Sequence, residues 1–336
     1  MRVWFNRHFE LIYRVLQLIR QGDVDHRFTL LCTHKHAHFV GYAQAHEHAV
    51  EPTGLSTKDY VGWCLEFARA QGVDVFVPAY EADALAASSS QFAAHGVRMV
   101  TVADAETLPR LHDKAWVYSH MSQHVPLAAH TLLRHADGLQ TAVERLWLQE
   151  LEACIKPTVS IYGKGFHRLL RSESTRRSRR GLWQAEWIAR YAPRGDCPPQ
   201  LVLEYLPGHE YSVDCIGDTG RLVTGVVRKK ALTSNTQLLD DNPVLMDQAA
   251  KLVAQFRISG LVNIQFKTDS LGQPKLLEIN PRASGGVAMS CLSGINLPYL
   301  ALRGAVDGYR GLNIPPPRLG MRVTEIGSPV VLHSAR

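Results

Sequence analysis

Residues 260–286 read Gly-Leu-Val-Asn-Ile-Gln-Phe-Lys-Thr-Asp-Ser-Leu-Gly-Gln-Pro-Lys-Leu-Leu-Glu-Ile-Asn-Pro-Arg-Ala-Ser-Gly-Gly, and this stretch decides the fold of the chain. Two β-type runs, 261–267 and 275–280, flank the turn sequence Asp-Ser-Leu-Gly at 269–272. Apolar and polar residues alternate in both runs, and a turn rich in Asp, Ser and Gly between such runs is typical of antiparallel strand pairs. The stretch therefore predicts a β-hairpin with one apolar face and one polar face.

The polar face of this hairpin carries oxygen-bearing side chains. Side chains at positions i and i+2 of a strand share a face and lie about 7 Å apart. Asn263 therefore shares a face with Gln265, and Glu278 shares one with Asn280. Such oxygens suit Mg²⁺, which takes few protein carboxylates and completes its octahedron with water and phosphate oxygens. Arg282, just past the second run, is placed to stabilise charge on a phosphoryl group. The alternative is a surface hairpin whose polar face only meets water.

The order and spacing of these residues resemble a known family. Gln265, then Glu278-Ile-Asn280-Pro-Arg282, then small residues and Gly-Ile-Asn-Leu-Pro at 294–298, resemble the metal-binding end of the ATP-grasp superfamily. The nearest branch is that of the carbamoyl-phosphate-synthetase large chain, whose members also carry Gln where most relatives have an acid. The resemblance covers roughly residues 110–310, and the whole chain is similar to the ATP-grasp proteins of bacterial tellurium-resistance-type operons.

Composition limits the class of protein. The chain has 336 residues, 46% of them hydrophobic and 20% charged, which is typical of an enzyme with two or three subdomains and a sizeable core. No apolar run reaches the ~18 residues of a membrane span, and the first residues lack a signal-peptide pattern. The six cysteines are scattered without a C-x-x-C pair, which predicts reduced thiols and a cytoplasmic protein. The net charge of +6 fits a polyanionic ligand such as ATP and would also fit a nucleic acid.

Residues 1–108 alternate between strand and helix patterns. This alternation predicts a parallel, doubly wound sheet. No G-x-G-x-x-G follows the first strand, so a nicotinamide cofactor is not expected. The region resembles the Rossmann-like domain that precedes the ATP-grasp module and often helps to shape the acceptor site. The expected strands are 3–5, 28–32, 73–77 and 97–102, and the expected helices are 9–19, from Ser56 or Thr57 to 71, and 81–95.

The resemblance implies a set of nucleotide-binding residues in the rest of the chain. Lys114 would meet phosphate, Lys156 would bridge adenine and α-phosphate, and a glycine-poor flap would cover the phosphates. A hinge segment would contact the adenine edge, and an acidic residue would accept hydrogen bonds from the ribose hydroxyls. These residues are Lys114, Lys156, the flap residues Gly163, Lys164 and Gly165, the hinge residues Glu204, Tyr205 and Leu206, and Glu210 for the ribose.

Two other patterns have more than one interpretation. His34, His36 and His38 would align on one face if extended, as in a metal site, yet a loop lining a substrate crevice at the sheet edge is the preferred interpretation. The arginine-rich run at 168–180 would suit nucleic acid, but no aromatic residues alternate with its arginines to stack on bases. A phosphate- or carboxylate-bearing acceptor fits it better.

The strand and helix patterns predict a mixed α/β and α+β fold, and the resemblance implies a Rossmann-like pre-ATP-grasp domain followed by an ATP-grasp module. The expected domains are 1–108, 109–203 and 204–336, with a helix from Asn242 and a closing strand at 323–332. The resemblance implies a carboxylate-amine ligase that uses ATP and Mg²⁺ (or Mn²⁺), with Gln265, Glu278 and Asn280 as metal ligands and Arg282 as the catalytic residue. Its partners would be small-molecule carboxylates and amines, and a second copy of the chain in a homodimer, rather than membranes or nucleic acids. The alternatives are a carbamoyl- or carboxyphosphate-type kinase acting on bicarbonate, and a regulator that binds ATP or nucleic acid without turnover.

Overall fold

The computed structural model describes residues 1–121, 123–160, 163–170, 181–183, 186, 196–327 and 329–332. The arginine-rich run from residue 171 onward and residues 161–162 before the flap lie outside them. Within the described residues the strands form three sheets, one parallel and two mainly antiparallel, with helices beside them. This confirms the predicted α/β and α+β fold. No helix in the described part of the chain is long and apolar enough to cross a membrane.

The first sheet lies in the N-terminal region and is parallel throughout, with the order β3-β2-β1-β4-β5. The predicted alternation of strand and helix is therefore confirmed. Ser56 caps the second helix, because its hydroxyl accepts a hydrogen bond from the Asp59 N–H at 3.2 Å. The strands are β1 (Arg2–Asn6), β2 (Thr29–His34), β3 (Glu47–Val50), β4 (Val75–Val77) and β5 (Arg98–Met99), and the helices are α1 (Ile12–Gly22), α2 (Thr57–Ala70), α3 (Ala82–Ala87), α4 (Ser89–Ala93) and α5 (Thr107–Leu111).

The second sheet has the order β6-β10-β7-β8-β9, and only its last pair is parallel. Helix α7 is amphipathic and buries Leu139, Val143 and Leu146 in one apolar cluster with Ile155 and Val202 of the sheet. The elements are α6 (Lys114–Met121), β6 (His130–His135), α7 (Leu139–Trp147), β7 (Ala153–Pro157), β8 (His167–Leu170), β9 (Gly181–Trp183) and β10 (Asp196–Glu204).

The third sheet has the order β15-β14-β11-β12-β13-β16, and the predicted hairpin forms its β14-β15 edge. The expected closing strand is wrong in extent, because only Arg322–Val323 pairs as β16. Gly327 and Pro329 follow, and proline cannot donate to a ladder. The elements are β11 (Glu210–Asp218), β12 (Arg221–Lys230), β13 (Gln237–Asp240), α8 (Pro243–Gln255, capped by Asn242), β14 (Gly260–Thr268), β15 (Pro274–Asn280), α9 (Val287–Cys291), α10 (Leu297–Asp307) and β16 (Arg322–Val323).

The chain packs as two compact units, which we call unit 1 and unit 2. Unit 1 contains Met1–Pro109, Ser212–Asn263 and Asn280–Arg336, and unit 2 contains Arg110–Tyr211 and Ile264–Ile279. One core in unit 1 joins residues of β1 and α1 to residues of β13 and α10. The N-terminal region and much of the C-terminal region therefore share a core, and the finer boundaries at 109 and 204 stay predictions.

Candidate functional site

Helix α6 of unit 2 positions Lys114. Asp113 caps the helix, because its Oδ1 accepts hydrogen bonds from the Ala115 N–H at 2.9 Å and the Trp116 N–H at 3.4 Å. The buried Lys114 side chain ends 3.2 Å from Glu278 Oε2, and its Nζ donates to the Ser160 carbonyl at 3.1 Å. Helix capping and burial thus hold one ammonium group against the carboxylate of β15.

Lys156 of β7 lies in the same cluster. Its Nζ donates to the Leu277 carbonyl at 3.2 Å and lies 5.6 Å from the centre of the Tyr118 ring. Burial, and next the nearby charge of Lys114, lower the pKa of Lys156 to about 8, although Glu278 opposes this shift. Unit 2 therefore brings two predicted phosphate-binding lysines together beside one predicted metal ligand, and their positive charge suits a polyphosphate.

Tyr118 was not predicted from the sequence, and it anchors this cluster. The side chain is fully buried, and its hydroxyl donates to the Leu276 carbonyl at 2.7 Å. Burial raises the pKa of Tyr118 far above its ordinary value, so the hydroxyl stays protonated and remains a donor. The contact joins α6 to β15, the strand that carries Glu278. An aromatic residue one turn after Lys114 is the only sequence signal for it.

The predicted hinge has a buried acid whose partners lie within unit 2. The Glu204 carboxylate pairs with the Lys275 ammonium at 2.7 and 2.9 Å and accepts a hydrogen bond from the Ala129 N–H at 3.2 Å. Lys275 also lies 3.3 Å from Asp269 Oδ2 in the hairpin turn. In this structure the Glu204 side chain therefore holds the β15 hairpin, so its contact with adenine stays a prediction. Lys275 is a partner that sequence reasoning missed.

The remaining hinge residues lie beside two cations. The Arg168 guanidinium lies 4.1 Å from the centre of the Tyr205 ring, and the Lys267 ammonium lies 5.2 Å from it. The Tyr205 N–H donates to the Glu152 carbonyl at 2.7 Å, and Leu206 is buried. These contacts fix the backbone that the family resemblance assigns to the adenine edge.

Glu210 begins β11 and is half-buried near Lys267. Burial lowers the pKa of Lys267, and the charge of Glu210 partly offsets that effect. The structure thus leaves the ribose role of Glu210 as a prediction, with a cation as its neighbour.

Backbone conformation and steric constraints explain the two glycines of the flap. Gly163 and Gly165 have φ angles of 65° and 76°, which favour glycine. A Cβ at Gly165 would come within 2.7 Å of the Pro157 ring. The flap therefore packs directly on the residue that follows Lys156, while Lys164 between the two glycines is exposed.

The three predicted metal ligands lie on the hairpin strands. Gln265 is half-buried on β14, and Glu278 and Asn280 lie two positions apart on β15. One carboxylate and two amide oxygens form a donor set that fits Mg²⁺ better than a thiophilic metal. The ion pair with Lys114 places a cation beside the Glu278 carboxylate already. Their joint role as ligands stays a prediction.

Unit 1 contains a buried ion pair that sequence reasoning did not assign. Arg228 of β12 and Asp214 of β11 are both fully buried and lie 2.8 Å apart. The Arg228 guanidinium therefore lies in the interior of unit 1. The available signal was a charged residue inside each of two apolar strands, since a buried charge needs a partner.

Arg282 follows β15 in unit 1. Its guanidinium lies 5.7 Å from the centre of the Phe9 ring, and its Nη1 donates to the Ala283 carbonyl at 3.1 Å. His8, whose Nε2 lies 3.4 Å from the Val77 carbonyl, has its pKa lowered to about 4 by burial and, to a smaller extent, by the charge of Arg282. Arg282 thus lies beside residues at the carboxyl end of β1.

The histidines of the 34–48 segment contact different partners, although the rings of His34 and His36 lie 5.1 Å apart. His34 stacks on Phe39 at 3.8 Å, His48 stacks on Tyr42 at 4.4 Å, and His46 Nδ1 accepts a hydrogen bond from the Leu30 N–H. The chain turns directly after β2, so the extended H-x-H-x-H geometry is wrong. Among the residues that the structure describes, no group of three or more His, Cys, Asp or Glu side chains could hold a metal ion.

Comparisons with known proteins agree with this architecture. Residues 196–329 match the family model of the ATP-grasp in the biosynthetic pathway with Ter operon. A comparison with curated protein sequences finds no match. The chain is similar to biotin carboxylase from Campylobacter jejuni, with a TM-score of 0.69, 17% identity and coverage of 95% of this chain and 73% of that one.

Two further solved structures have the same fold. N5-carboxyaminoimidazole synthetase from Staphylococcus aureus matches with a TM-score of 0.66, 12% identity and coverage of 94% and 78%. L-amino acid ligase from Bacillus licheniformis matches with a TM-score of 0.63, 12% identity and coverage of 91% and 74%. At these identities the similarity shows the fold, and the family model adds the match of the C-terminal sequence. The chain therefore has the fold of these structures, and its residues 196–329 match the family model of the ATP-grasp in the biosynthetic pathway with Ter operon.

Proposed function

We propose that this protein is an ATP-dependent ligase that joins a carboxylate to an amine. The observation that carries the proposal is the cluster in unit 2, where Lys114 and Lys156 converge near Glu278. Two ammonium groups beside a single carboxylate create a positive potential that favours a polyphosphate. The fold and the names of the similar structures, which include a ligase and a carboxylase, support this class of activity.

The chain offers a residue for each part of the nucleotide. Lys114, Lys156 and the flap residues 163–165 would hold the phosphates. The hinge residues Glu204, Tyr205 and Leu206 would contact adenine, and Glu210 would accept hydrogen bonds from the ribose. Because the Glu204 carboxylate is engaged by Lys275, we assign the hinge contacts to backbone atoms.

Gln265, Glu278 and Asn280 would hold Mg²⁺ or Mn²⁺ through their side-chain oxygens. The bound metal would neutralise phosphate charge and so assist phosphoryl transfer. Lys114 lies against Glu278 in this structure, so we expect the same lysine to move towards the phosphates when the carboxylate meets a metal.

The proposed reaction has two balanced steps. An oxygen of the substrate carboxylate attacks the γ-phosphorus of ATP, which gives an acyl phosphate and ADP. The amine nitrogen then attacks the acyl carbon, inorganic phosphate leaves, and the nitrogen loses one proton to give the amide. Arg282 would stabilise the charge that spreads over the phosphoryl oxygens during transfer.

A bicarbonate substrate is the second candidate. One similar structure, a biotin carboxylase domain, was crystallised with ADP, magnesium and bicarbonate. In that case the first step would give carboxyphosphate by the same chemistry. Dependence of ADP release on bicarbonate, against dependence on an organic carboxylate, separates the two substrates.

Calorimetry with a non-hydrolysable ATP analogue and Mg²⁺ tests the nucleotide site. We expect Lys156→Met to weaken binding by about tenfold or more, because a charge-assisted phosphate contact is lost. Lys251→Met is the matched control, since the exposed Lys251 forms an ion pair with Asp247 at 2.7 Å along helix α8. Equal binding by Lys156→Met and the parent protein would contradict the assignment. If the protein binds ATP but releases no ADP in the presence of pooled carboxylates, amines or bicarbonate, the alternative of a regulator that binds ATP without turnover is favoured instead.

A further inference from the structure

We propose that the buried Asp214–Arg228 ion pair acts through Asn263 to orient the Asn280 amide, so that Asn280 presents its oxygen to the metal. Asp214, Arg228 and Asn263 are then positioning residues. The inference rests on the proposed function, because it concerns the metal of that site. All four residues lie in unit 1, and the hydrogen bonds between them carry the argument.

Arg228 acts only as a hydrogen-bond donor in this network. A guanidinium group has five N–H donors and no acceptor. Its Nε and Nη2 donate to Asp214 Oδ2 at 3.0 and 2.8 Å, and Nη2 also donates to Ser284 Oγ at 2.8 Å. Nη1 donates to Gln237 Oε1. Every partner of Arg228 must therefore contribute an oxygen.

Asp214 determines which atom of the Asn263 amide faces it. An ionised carboxylate only accepts hydrogen bonds, and Oδ2 already accepts from Arg228 and from Ser290 Oγ at 2.6 Å. The other oxygen, Oδ1, lies 2.8 Å from the Asn263 amide. Since Asp214 has no proton to donate, the atom of Asn263 that faces it has to be the amino nitrogen.

The same reasoning fixes Asn280. With its Nδ2 turned to Asp214, Asn263 directs its Oδ1 to the neighbouring strand, where Asn280 Nδ2 lies 3.3 Å away. An oxygen requires a donor, so Asn280 has to turn its amino group to Asn263. The carbonyl oxygen of Asn280 therefore points away from Asn263. An amide is a useful metal ligand only through its oxygen, and this network selects that orientation.

The network also reaches the segment that carries Arg282. Ser284 follows Arg282 by two residues and accepts a hydrogen bond from Arg228. A Cβ at Gly286 would come within 2.5 Å of Arg228 Nη1, so a side chain here would have to displace the guanidinium from its hydrogen bonds. Arg228 therefore orients the Asn280 amide indirectly, through Asp214 and Asn263. It also contacts the loop after β15 directly, through Ser284.

The test compares metal affinity in variants. Mn²⁺ binding in the presence of ADP is measured by electron paramagnetic resonance, and ADP binding without metal is measured by calorimetry. We expect Asn263→Leu, which has the same branched shape and no polar group, to weaken Mn²⁺ binding by about tenfold or more, as is typical when a partner of a metal ligand is removed. ADP binding without metal should stay within about twofold.

Two variants separate positioning from general destabilisation. Ser290→Ala removes hydrogen bonds to Asp214 Oδ2 and Arg228 Nε and leaves the contact between Asp214 Oδ1 and Asn263 in place, so it should retain most of the parent affinity for Mn²⁺. If Asn263→Leu fails to fold, the smaller and polar variant Asn263→Ser should show the same loss of Mn²⁺ affinity. Thermal unfolding midpoints of all variants establish that each is folded.

A double variant tests the orientation itself. A carboxylate presents oxygen whichever way it turns, so adding Asn280→Asp to Asn263→Leu should recover most of the lost Mn²⁺ affinity. Parent affinity in Asn263→Leu, or an equal loss in Ser290→Ala, would overturn the inference while leaving the proposed function standing. A parent protein that binds no Mn²⁺ with ADP would overturn the proposed function, and the inference with it.

Discussion

Lys156 shows how a single side chain combines burial with charge. Moving an ammonium group out of water disfavours its charged form, and a second ammonium nearby adds to the effect. Both occur here, because Lys156 packs on Tyr118 with Lys114 beside it. A bound polyphosphate would reverse the balance by supplying negative charge, so protons should be taken up when the nucleotide binds above pH 7. Lysines in such a position indicate a site for an anion.

His34 makes a prediction about acid stability. It stacks on Phe39, and its Nδ1 accepts a hydrogen bond from the His36 N–H. Burial, and next the charges of His36 and Arg7, lower its pKa from 6.5 to about 4. The unfolded chain then binds more protons between these two values. The contribution of His34 to the free energy of unfolding should therefore be fully present above pH 6.5. It should fall by up to about 3 kcal/mol as the pH drops towards 4.

Thermal unfolding measured from pH 7.5 to pH 3.5 checks this slope. His34→Phe keeps the stacking and removes the titration, so its midpoint should fall less steeply than that of the parent. His95→Gln, at an exposed histidine, is the control and should follow the parent curve. An unchanged slope in His34→Phe would show that other groups cause the acid destabilisation.

At the scale of elements, helix α6 couples capping to the candidate site. Asp113 caps the helix, and the Lys114 N–H donates to the Thr158 carbonyl at 2.9 Å. The first turn of α6 therefore determines where the Lys114 ammonium lies. A cap at this helix therefore contributes both to stability and to the geometry of the candidate site.

We predict that Asp113→Ala lowers stability by about 1 kcal/mol and weakens nucleotide binding severalfold. Asp113→Asn should retain most of both, since asparagine also caps helices. The matched control is Asp104→Ala, because Asp104 accepts from the Thr107 N–H at the start of α5 in the same manner. It should cost similar stability and leave nucleotide binding unchanged. If both alanine variants bind the nucleotide as the parent does, the cap has no role in the site.

At the scale of the whole molecule, the N-terminal region is part of a larger core. Asn296 Nδ2 donates to the Leu18 carbonyl at 2.7 Å, just before helix α10. Gly22 lies so close to Tyr299 that a Cβ would come within 2.4 Å of the ring. Ile12 and Leu16 of α1 belong to the same apolar cluster as residues of α10. Helices from opposite ends of the chain therefore pack as neighbours.

This packing predicts that a chain beginning at residue 109 does not fold cooperatively. Each large apolar side chain exposed by the deletion costs about 1.5–3 kcal/mol, against a total stability of about 5–15 kcal/mol. Thermal and urea unfolding followed by circular dichroism should show no sharp transition for the shortened chain. Leu16→Ala in the full chain is the comparison, and it should lower the midpoint while retaining a single transition. A sharp transition in the shortened chain would show that residues 1–108 are a separable domain.

Local sequence patterns determined much of the fold. The alternation in 260–286 predicts β14, β15 and their turn, Ser56 and Asn242 predict the caps of α2 and α8, and alternation of strands and helices predicts the parallel sheet. These features depend on residues that are near in sequence. The physical reason is that strand alternation, caps and turns are satisfied by neighbouring backbone groups. The prediction of a closing strand at 323–332 was wrong in extent, because pairing with β13 ends at Val323.

The partners of the site residues were decided only by the tertiary structure. Glu204 meets Lys275 across 71 residues, Asp214 reaches Asn263 across 49, and Tyr118 bonds to Leu276 across 158. No local pattern selects among the many charged or polar residues that could have filled these positions. Burial makes each choice, because a polar group taken out of water needs a partner within hydrogen-bond distance. The sequence alone predicted which residues would carry the chemistry, and packing determined which neighbours these residues meet.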